Sequence, residues 1–322
     1  MQAKNLKISF IGAGGVACTT AFRAGLSGMF SEMVLIDLYE GFARGKAMDL
    51  EQAFSLAHTH TKCAGTTDYD HIEGSDIIII TAGDAQKLGK TSAVIDREVL
   101  VRKNKLIIES VSHKIRHVIP AKAKKQPFII SLTNPLDPVL THFINTGDYD
   151  RRLTIGSGNL LDAERFRFYF TREFNAKASD VHPVVIGQHG REMVYVLSQS
   201  KVGKKPLLQY VKEKHGTEKQ LARICLQATD GAYEIISLLE KGGTWYAPAI
   251  SIFDLINAYA NNTHEVFCVS TWLNGQYGLR DFCLGVPARL GKSGVEGIVE
   301  MKLSPSEQQA LKTAAEFVKS LI

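Results

Sequence analysis

The 322-residue sequence has few cysteines and no long apolar run. Its cysteines are odd in number and lack CxxC spacing; they are Cys18, Cys63, Cys225, Cys268 and Cys283. This pattern argues against a disulfide framework and favours a reducing compartment. No stretch approaches the roughly 20 apolar residues of a membrane span, and Met1 leads into a strand pattern without a secretory core. The sequence therefore predicts a cytoplasmic protein without a membrane partner.

A strong charge imbalance is also missing, because 38 Lys and Arg residues face 33 Asp and Glu residues. The lysine-rich segments Lys122–Lys125 and Lys201–Lys205 are typical of solvated faces, so no nucleic-acid partner is expected. His58, His60 and Cys63 lack a fourth ligand nearby, so no metal site is expected either. The remaining composition, 45% hydrophobic and 22% charged, is that of an ordinary globular protein.

The first motif is a glycine-rich turn. Lys7–Ile11 alternates like a strand and leads into Gly-Ala-Gly-Gly-Val-Ala, which begins at Gly12 and contains Gly14, Val16 and Ala17. A helical pattern follows, so the GxGxxG/A dinucleotide fingerprint stands in its proper context. Gly12 would permit the tight turn, Gly14 would let a pyrophosphate approach the backbone, and Ala17 would pack helix on strand.

A second apolar strand ends in an acid. Met33–Ile36 is followed by Asp37, at the spacing of about 20 residues that the fingerprint requires. A carboxylate there would accept hydrogen bonds from ribose hydroxyls and repel a 2′-phosphate, so NAD is favoured over NADP. A cap at the end of the strand is the alternative, and the preceding fingerprint makes it the weaker one.

Two further apolar strands end in small or polar residues. Ser75–Ile80 is followed by Thr81 and Gly83, and Phe128–Leu132 is followed by Asn134. Unbroken apolar runs suit parallel strands that are buried on both faces. Their alternation with helices predicts an α/β protein with a doubly wound parallel sheet of the Rossmann type, and ligands at the carboxyl ends of its strands.

The sequence pattern changes near residue 150, where strands alternating with helices give way to a segment rich in Arg and Phe. We expect a dinucleotide-binding Rossmann domain over 1–150 and an α+β substrate domain over 151–322. In the second half, Glu218–Leu239 and Ala247–Tyr259 read as helices, and Ser304–Glu307 forms a capping box at the start of another. No flexible linker separates the halves, so they should pack closely.

A histidine between two glycines is the candidate for chemistry. Gly187 and Gly190 flank His189, so its imidazole could approach a small ligand closely. Upstream, Asp162 and Arg165 are three residues apart, on one face of a predicted helix. A histidine, a carboxylate to hold its tautomer and an arginine for a carboxylate could form a proton-transfer site for a small acid. Alone, His189 is more typical of a core histidine in a turn, and the other motifs are what favour the site.

These residues together resemble the NAD-dependent lactate and malate dehydrogenases, over nearly the whole chain. The resemblance implies reversible hydride transfer between NAD and C2 of a small 2-hydroxy acid, in a homo-oligomer that is a dimer or a tetramer. The markers, in chain order, are Gly12–Ala17, Asp37–Gly41, Gly45–Leu50, Thr81–Gly83, Thr133–Asp137, Leu161–Arg165 and Gly187–Gly190.

The resemblance also implies roles for single residues. His189 would be the general acid or base on the hydroxyl, with Asp162 orienting it, and Arg165 would hold the C1 carboxylate. Asn134 would hydrogen-bond near the carbonyl and the nicotinamide, and Thr244 would lie near the substrate. A non-catalytic NAD-binding structural protein is the alternative class, but it predicts decay of this set.

The loop after Gly83 departs from the family pattern. The arginine that polarises the carbonyl usually follows a Gly-x-Ser/Thr step at once, where this chain has Ser92. Counting back from Asn104 instead gives Arg97, with five extra residues at Ser92–Asp96. A similar insertion is found in apicomplexan-type lactate dehydrogenases. Arg97 could otherwise be a solvated residue at the start of a helix.

The same loop carries the expected specificity position. Malate dehydrogenases generally have arginine there and many lactate dehydrogenases glutamine, and this chain has Gln86. A neutral amide cannot compensate a second buried carboxylate, so pyruvate and L-lactate are favoured over oxaloacetate and L-malate. Malate stays an alternative, because Lys87 or Lys90 could supply the charge and Tyr246–Ala249 looks like the malate branch. A bulkier 2-hydroxy acid is a third possibility, since Ile95 could reshape the pocket.

Overall fold

The computed structural model describes residues 5–84, 97–240 and 242–322, with only the backbone placement of Arg97. Its strands are β1 Leu6–Ile11, β2 Phe30–Ile36, β3 Lys62–Thr66, β4 Ile77–Ile80, β5 Phe128–Ser131, β6 Thr154–Gly156, β7 Val181–His182, β8 Val185–Gly187, β9 Met193–Tyr195, β10 Lys201–Val202, β11 Lys205–Pro206, β12 Glu265–Asn274, β13 Arg280–Gly291 and β14 Gly294–Ile298. Its α-helices are α1 Gly15–Gly25, α2 Glu40–Leu56, α3 Arg97–Val118, α4 Leu136–Gly147, α5 Leu160–Phe174, α6 Leu207–Glu213, α7 Glu218–Leu239, α8 Tyr246–Asn261 and α9 Pro305–Ser320.

One large sheet runs through the described part of the chain. Its strand order is β3-β2-β1-β4-β5-β6-β12-β13-β8-β9, and β14 pairs with β13. The pairs from β3 to β6 are all parallel. This is the order 3-2-1-4-5-6 of dinucleotide-binding sheets, in which the chain changes direction between β1 and β4. The predicted doubly wound parallel sheet is confirmed.

The second half of the chain extends the sheet with antiparallel strands. Ser270 in β12 pairs with Gly156 in β6, and Gly285 in β13 pairs with Gly187 in β8. A separate three-stranded sheet joins β11, β10 and β7. Because β6 pairs on both of its edges, the backbone of one half is hydrogen-bonded to the other. The domain boundary at residue 150 stays a prediction.

Helices cover both faces of the parallel strands. The four residues of β4, Ile77–Ile80, are completely buried. Ile77 and Ile79 belong to a core cluster with residues of α1 and α8, whereas Ile78 and Ile80 belong to a cluster with residues of α3 and α4. Successive side chains of a strand point to opposite faces. The unbroken run of isoleucine therefore reflects burial on both sides.

Local signals explain several helix ends. Helix α7 has the predicted bounds, and α8 is one residue longer at its start and two at its end than predicted. The predicted capping box begins α9, because the Glu307 backbone N–H donates to Ser304 Oγ and the Ser304 N–H donates to the Glu307 carboxylate. Across the described ranges, none of the helices combines the length and apolar character needed to cross a membrane.

Candidate active site

The turn after β1 requires glycine at its first position. Gly12 has φ of +98°, and its N–H donates to Ile36 O at 2.7 Å. A Cβ on Gly12 would lie 2.8 Å from Thr81 Oγ1, which itself donates to Gly12 O at 3.1 Å. The predicted residues Gly12 and Thr81 therefore form one tight junction between the ends of β1 and β4.

The start of α1 is open beside Gly14, the residue that caps it. A Cβ on Gly14 would meet no described atom within 4 Å. Val16 is partly buried in the first turn of α1, and Ala17 is completely buried against the sheet. Free backbone N–H groups at a helix N-terminus favour anions. The open space and these donors fit the pyrophosphate of a dinucleotide.

Asp37 is fixed at the end of β2, next to this turn. Its Oδ2 accepts a hydrogen bond from Ala13 N at 2.8 Å, and its Oδ1 accepts one from Leu38 N at 2.8 Å. The carboxylate is therefore held beside the glycine-rich turn, where the ribose hydroxyls of a dinucleotide would lie. The glycine-rich turn and the Asp37 carboxylate together fit NAD.

Trp245 lies over the same turn, and no motif predicted this position, although Thr244 precedes it. A side chain at Gly15 would collide with the indole, and a Cβ at Gly243 would lie 3.4 Å from its Nε1. The side chain is 43% exposed. Thr244 is half-buried in the same loop before α8, so this loop lies beside the glycine-rich turn.

Asn104 of α3 ties together the ends of β4 and β5. Its Nδ2 donates to Asn134 O at 2.5 Å, and its Oδ1 accepts from Asp84 N at 2.6 Å. A Cβ on Gly83 would lie 2.7 Å from Thr133 Cγ2, so close approach at this point requires glycine. The Asn134 side chain stays exposed at this edge of the sheet.

The backbone turns sharply on both sides of His189. Gly187 has φ of +88° and Gly190 has φ of +154°, conformations that side chains disfavour. The buried Gln188 donates from Nε2 to His189 O at 2.8 Å. Because Gly187 pairs with Gly285 of β13, the sheet itself positions this turn.

The structure brings His189, Asp162 and Arg165 together. His189 Nδ1 lies 2.8 Å from Asp162 Oδ2, and Arg165 Nη1 lies 3.4 Å from Asp162 Oδ1. Asp162 is completely buried, whereas the side chains of His189 and Arg165 keep 19% and 15% of their exposure. Since Nδ1 faces the carboxylate, Nε2 is the nitrogen left for a ligand.

Neighbouring charges set the protonation of this group. Burial would lower the pKa of His189, but the charge and hydrogen bond of Asp162, with the charge of Asp137, place that pKa above its ordinary value. Burial would raise the pKa of Asp162, but His189, Arg165 and Asn159 hold it below its ordinary value. The pair therefore favours an imidazolium next to a carboxylate.

Two further polar residues support the site and were not predicted. Asn159 is completely buried, and its Nδ2 donates to Asp162 Oδ2 at 3.2 Å. Asp137 Oδ2 accepts from His189 N at 2.9 Å. A side chain at Gly285 would collide with Asn159, but this contact depends on the tertiary structure, so no local sequence signal pointed to Asn159. Asp137 belongs to the marker Thr133–Asp137, which gave no role for it.

Most of the residues predicted for the loop after Gly83 lie outside the described residues. Arg97 is the first residue of α3, seven residues and about two turns before Asn104. Gln86, Lys87 and Lys90 lie outside the described residues.

Family models match both halves of the chain. One, described as the lactate/malate dehydrogenase NAD binding domain, matches residues 6–156. Another, described as the lactate/malate dehydrogenase alpha/beta C-terminal domain, matches residues 160–322. The chain belongs to the lactate/malate dehydrogenase family. It is thus an oxidoreductase with NAD as cofactor, and the non-catalytic alternative is set aside.

Members of the lactate/malate dehydrogenase family that resemble this chain carry both names. The malate dehydrogenase of Pelagibacter ubique is 35% identical over 98% of this chain and 95% of its own length. The crystal structure of Cryptosporidium parvum malate dehydrogenase has a TM-score of 0.91 at 32% identity and covers 98% of each chain. The lactate dehydrogenase of that organism, complexed with lactic acid and NAD, has the same TM-score and identity, over 99% of this chain and 98% of its own.

Overall likeness therefore does not separate the two substrates, because the two Cryptosporidium parvum enzymes are equally similar to this chain. Pyruvate and oxaloacetate differ by one carboxylate on C3, and a few side chains that contact this group are enough to discriminate between them.

Proposed function

We propose that this protein is an L-2-hydroxy acid dehydrogenase that interconverts pyruvate and L-lactate with NAD. The reaction class is carried by one observation, the contact of His189 Nδ1 with the buried Asp162, three residues before Arg165. This arrangement has one proton donor and one fixed cation, which is what a 2-oxo acid needs at its C2 oxygen and its carboxylate.

His189 is the proton donor in the reducing direction. Its Nε2–H donates to the C2 oxygen, so that an alkoxide does not accumulate, and Asp162 stabilises the imidazolium beforehand. In the oxidising direction the neutral imidazole takes the same proton back. Bound NADH would supply the hydride for C2 of the substrate.

Arginines orient the substrate. Arg165 holds the C1 carboxylate in a bidentate pair, and its half-buried position beside Asp162 limits the freedom of its side chain. Helix α7 packs against it, since a Cβ at Gly231 would lie 3.4 Å from Arg165 Cδ. Arg97 polarises the carbonyl, and Asn134 donates a hydrogen bond near it. Thr244 contacts the substrate from the loop before α8.

Gln86 supports lactate over malate. Oxaloacetate carries a second carboxylate, and an unpaired charge in a closed site costs several kcal/mol. The malate alternative is supported by the names of the relatives, such as the Pelagibacter ubique enzyme, and would need Lys87 or Lys90 as the cation. A compact ammonium on a flexible stem is a poorer partner for a carboxylate than arginine.

The deciding measurement is NADH oxidation with pyruvate and with fresh oxaloacetate, on one preparation. We expect kcat/KM for pyruvate to be higher by about tenfold or more, which is about 1.4 kcal/mol of discrimination. A higher value for oxaloacetate would overturn the lactate proposal and leave the malate alternative.

Substitutions in the loop then identify the side chain responsible. Gln86→Arg should raise kcat/KM for oxaloacetate and lower it for pyruvate, because it supplies a cation for the second carboxylate. Lys87→Ala and Lys90→Ala are matched controls. If one of them abolishes oxaloacetate reduction while Gln86→Ala changes nothing, the malate alternative holds and that lysine is the partner.

The protein is proposed to be a homo-oligomer, either a dimer or a tetramer. Several large apolar side chains are exposed on and before α2, and others at the start of α8. They are Leu38, Tyr39, Phe42, Met48, Tyr246 and Ile250. Helices α2 and α8 both pack against α1, and exposed apolar groups of this kind are typical of subunit contacts. Light scattering coupled to size exclusion gives the mass, and a monomer at micromolar concentration would contradict the proposal.

A reducing compartment is proposed as its location. All five cysteines are free, and burial raises the pKa of the thiols of Cys63, Cys225 and Cys268 to about 12. Such thiols are poor nucleophiles. Cytoplasmic fluorescence of a tagged chain is the expected result, and export of the chain would contradict it.

A further inference from the structure

Asp137 connects three separate parts of the structure. It lies in the first turn of α4 and is completely buried. Its Oδ2 accepts a hydrogen bond from the backbone N–H of His189 at 2.9 Å. Its Oδ1 accepts one from the hydroxyl of Ser270, in β12, at 2.6 Å. One carboxylate thus joins the first turn of α4, the His189 turn and the antiparallel half of the sheet.

A carboxylate at this depth is costly unless something favours its charge. Burial raises the pKa of Asp137 to about 6, although the Ser270 hydroxyl, the backbone N–H of His189 and the charge of His189 all lower it. Two neutral groups of the described residues also lie beside it. The Thr141 hydroxyl donates to Asp137 O, and the pKa of the Cys283 thiol rises through burial and the charge of Asp137. The imidazole of His189 is the cation that faces it.

The effect on His189 adds to that of Asp162. His189 is faced by Asp162 and Arg165 from α5 and by Asp137 from α4. Burial lowers the pKa of His189 and Arg165 opposes its charge, whereas both carboxylates raise that pKa. Asp162 acts through a side-chain hydrogen bond, but Asp137 bonds to the backbone. It can therefore act on the imidazole without competing for Nδ1.

We propose that Asp137 is a positioning residue, which holds the turn that carries His189 and favours the protonated imidazole. It acts through His189 and does not touch the substrate. The inference rests on the proposed role of His189 in proton transfer. An amide at this position could keep both hydrogen bonds, because its oxygen can accept from the His189 N–H and its NH₂ can donate to the Ser270 hydroxyl, but its charge would be lost.

The test measures the protonation of His189 directly. In protein labelled with ¹³Cε1-histidine, the resonance absent from His189→Asn identifies His189, and its pKa is read from a pH titration by NMR. We expect Asp137→Asn to lower this pKa by at least about 0.5 pH units, since a facing charge has been removed. In the pH profile of kcat/KM for 2-oxo acid reduction, the pH at which the value begins to fall should move down by the same amount.

Matched variants separate this effect from loss of packing. Thr141→Val disturbs the same buried place but leaves the carboxylate, so it should lower the melting temperature and leave the His189 pKa unchanged. Ser270→Ala removes one donor, which raises the pKa of Asp137, so it should lower the His189 pKa by a smaller amount than Asp137→Asn. If Asp137→Asn does not fold, Ser270→Ala decides in the same titration.

An unchanged His189 pKa in Asp137→Asn, or in Ser270→Ala if the first does not fold, overturns the proposal and leaves Asp137 as a structural residue. Failure of the proposed function looks different. In that case His189→Asn would keep its activity, whatever Asp137→Asn does.

Discussion

The dinucleotide end of the candidate site and its proton-transfer end consist of different chemical groups. At the end that fits the dinucleotide, the surfaces are backbone groups and small residues, such as Gly12 with its φ of +98° and Gly14 with open space above it. At the proton-transfer end, the surfaces are charged side chains, with Asp162 and Asp137 completely buried against His189. The first end depends on the missing side chains of its glycines, and the second depends on buried charged side chains.

This difference separates the expected effects of substitution. An added methyl group at the dinucleotide end acts by excluded volume and backbone strain. A neutralised carboxylate at the other end acts through the protonation of one imidazole. Substitutions at the first end should therefore change cofactor affinity with little effect of pH, whereas those at the second should change rate and its dependence on pH.

The largest effect is expected for His189→Asn. Loss of a general acid costs about 10²–10⁴-fold in rate, so kcat/KM for 2-oxo acid reduction should fall by about this factor. The Kd for NADH should stay within about twofold, because the dinucleotide end is untouched. His113→Asn is the control, since that histidine is exposed on α3 and should keep full activity. A loss of NADH affinity equal to the loss of rate would break the separation.

Asp162→Asn should change the pH profile. Reduction needs the imidazolium, so kcat/KM is constant below the pKa of His189 and falls as the pH rises through it. That pKa lies above the ordinary 6.5 in the wild type. Without Asp162, burial and Arg165 lower it and only the charge of Asp137 raises it, so the pH at which kcat/KM falls should move down by about one pH unit or more. Oxidation of the hydroxy acid needs neutral imidazole, so its limb should move the same way with the opposite slope. Limbs that do not move would contradict this assignment.

Gly12→Ala and Gly14→Ala form a matched pair at the other end. Gly12→Ala forces a side chain into a positive φ and against Thr81, so the free energy of unfolding should fall by about 1–3 kcal/mol. Gly14 has φ of −72° and a free space, so Gly14→Ala should keep the melting temperature of the wild type. Its Kd for NADH should nevertheless rise several-fold, because the methyl fills the space that fits a phosphate. Equal loss of stability in both variants would contradict the pair.

Trp245 provides the smallest effect. Trp272→Phe leaves Trp245 as the sole tryptophan, since the chain has two. Its fluorescence should change when NAD⁺ binds, because the indole lies over the turn at Gly15. NAD⁺ is preferred to NADH as the probe, since it does not absorb tryptophan emission. Trp245→Phe, which retains Trp272, is the control and should not respond. A response that persists in this control would show that the signal is not local.

The sequence predicted the parallel half of the fold because its signals are local. The glycine turn at Gly12 follows a strand directly, and the buried run Ile77–Ile80 indicates its own burial. The long hairpin of β12 and β13 was not predicted, although Asn274 and Gly275 are typical turn residues. Its place in the sheet depends on distant pairs such as Gly156 with Ser270, which no local pattern specifies.

The same limit applies to the site. His189, Asp162 and Arg165 could be proposed from their spacing and their resemblance to a family, and the structure brings them together. The roles of Asp137 and Asn159 were not predicted, because they depend on tertiary contacts. Asp137 is 52 residues from the backbone N–H that it accepts from. A buried carboxylate looks the same in a sequence as a solvated one.

The doubly paired strand β6 has a consequence for how the protein folds. Thr154–Gly156 bonds to β5 on one edge and meets β12 on the other. A chain cut after Gly156 would expose that edge, and bare edges recruit other strands and aggregate. The amino-terminal half is thus complete in topology but unprotected until some hundred residues later in the chain arrive. During synthesis, the six parallel strands would leave the ribosome before the carboxyl-terminal hairpin that pairs with their last edge.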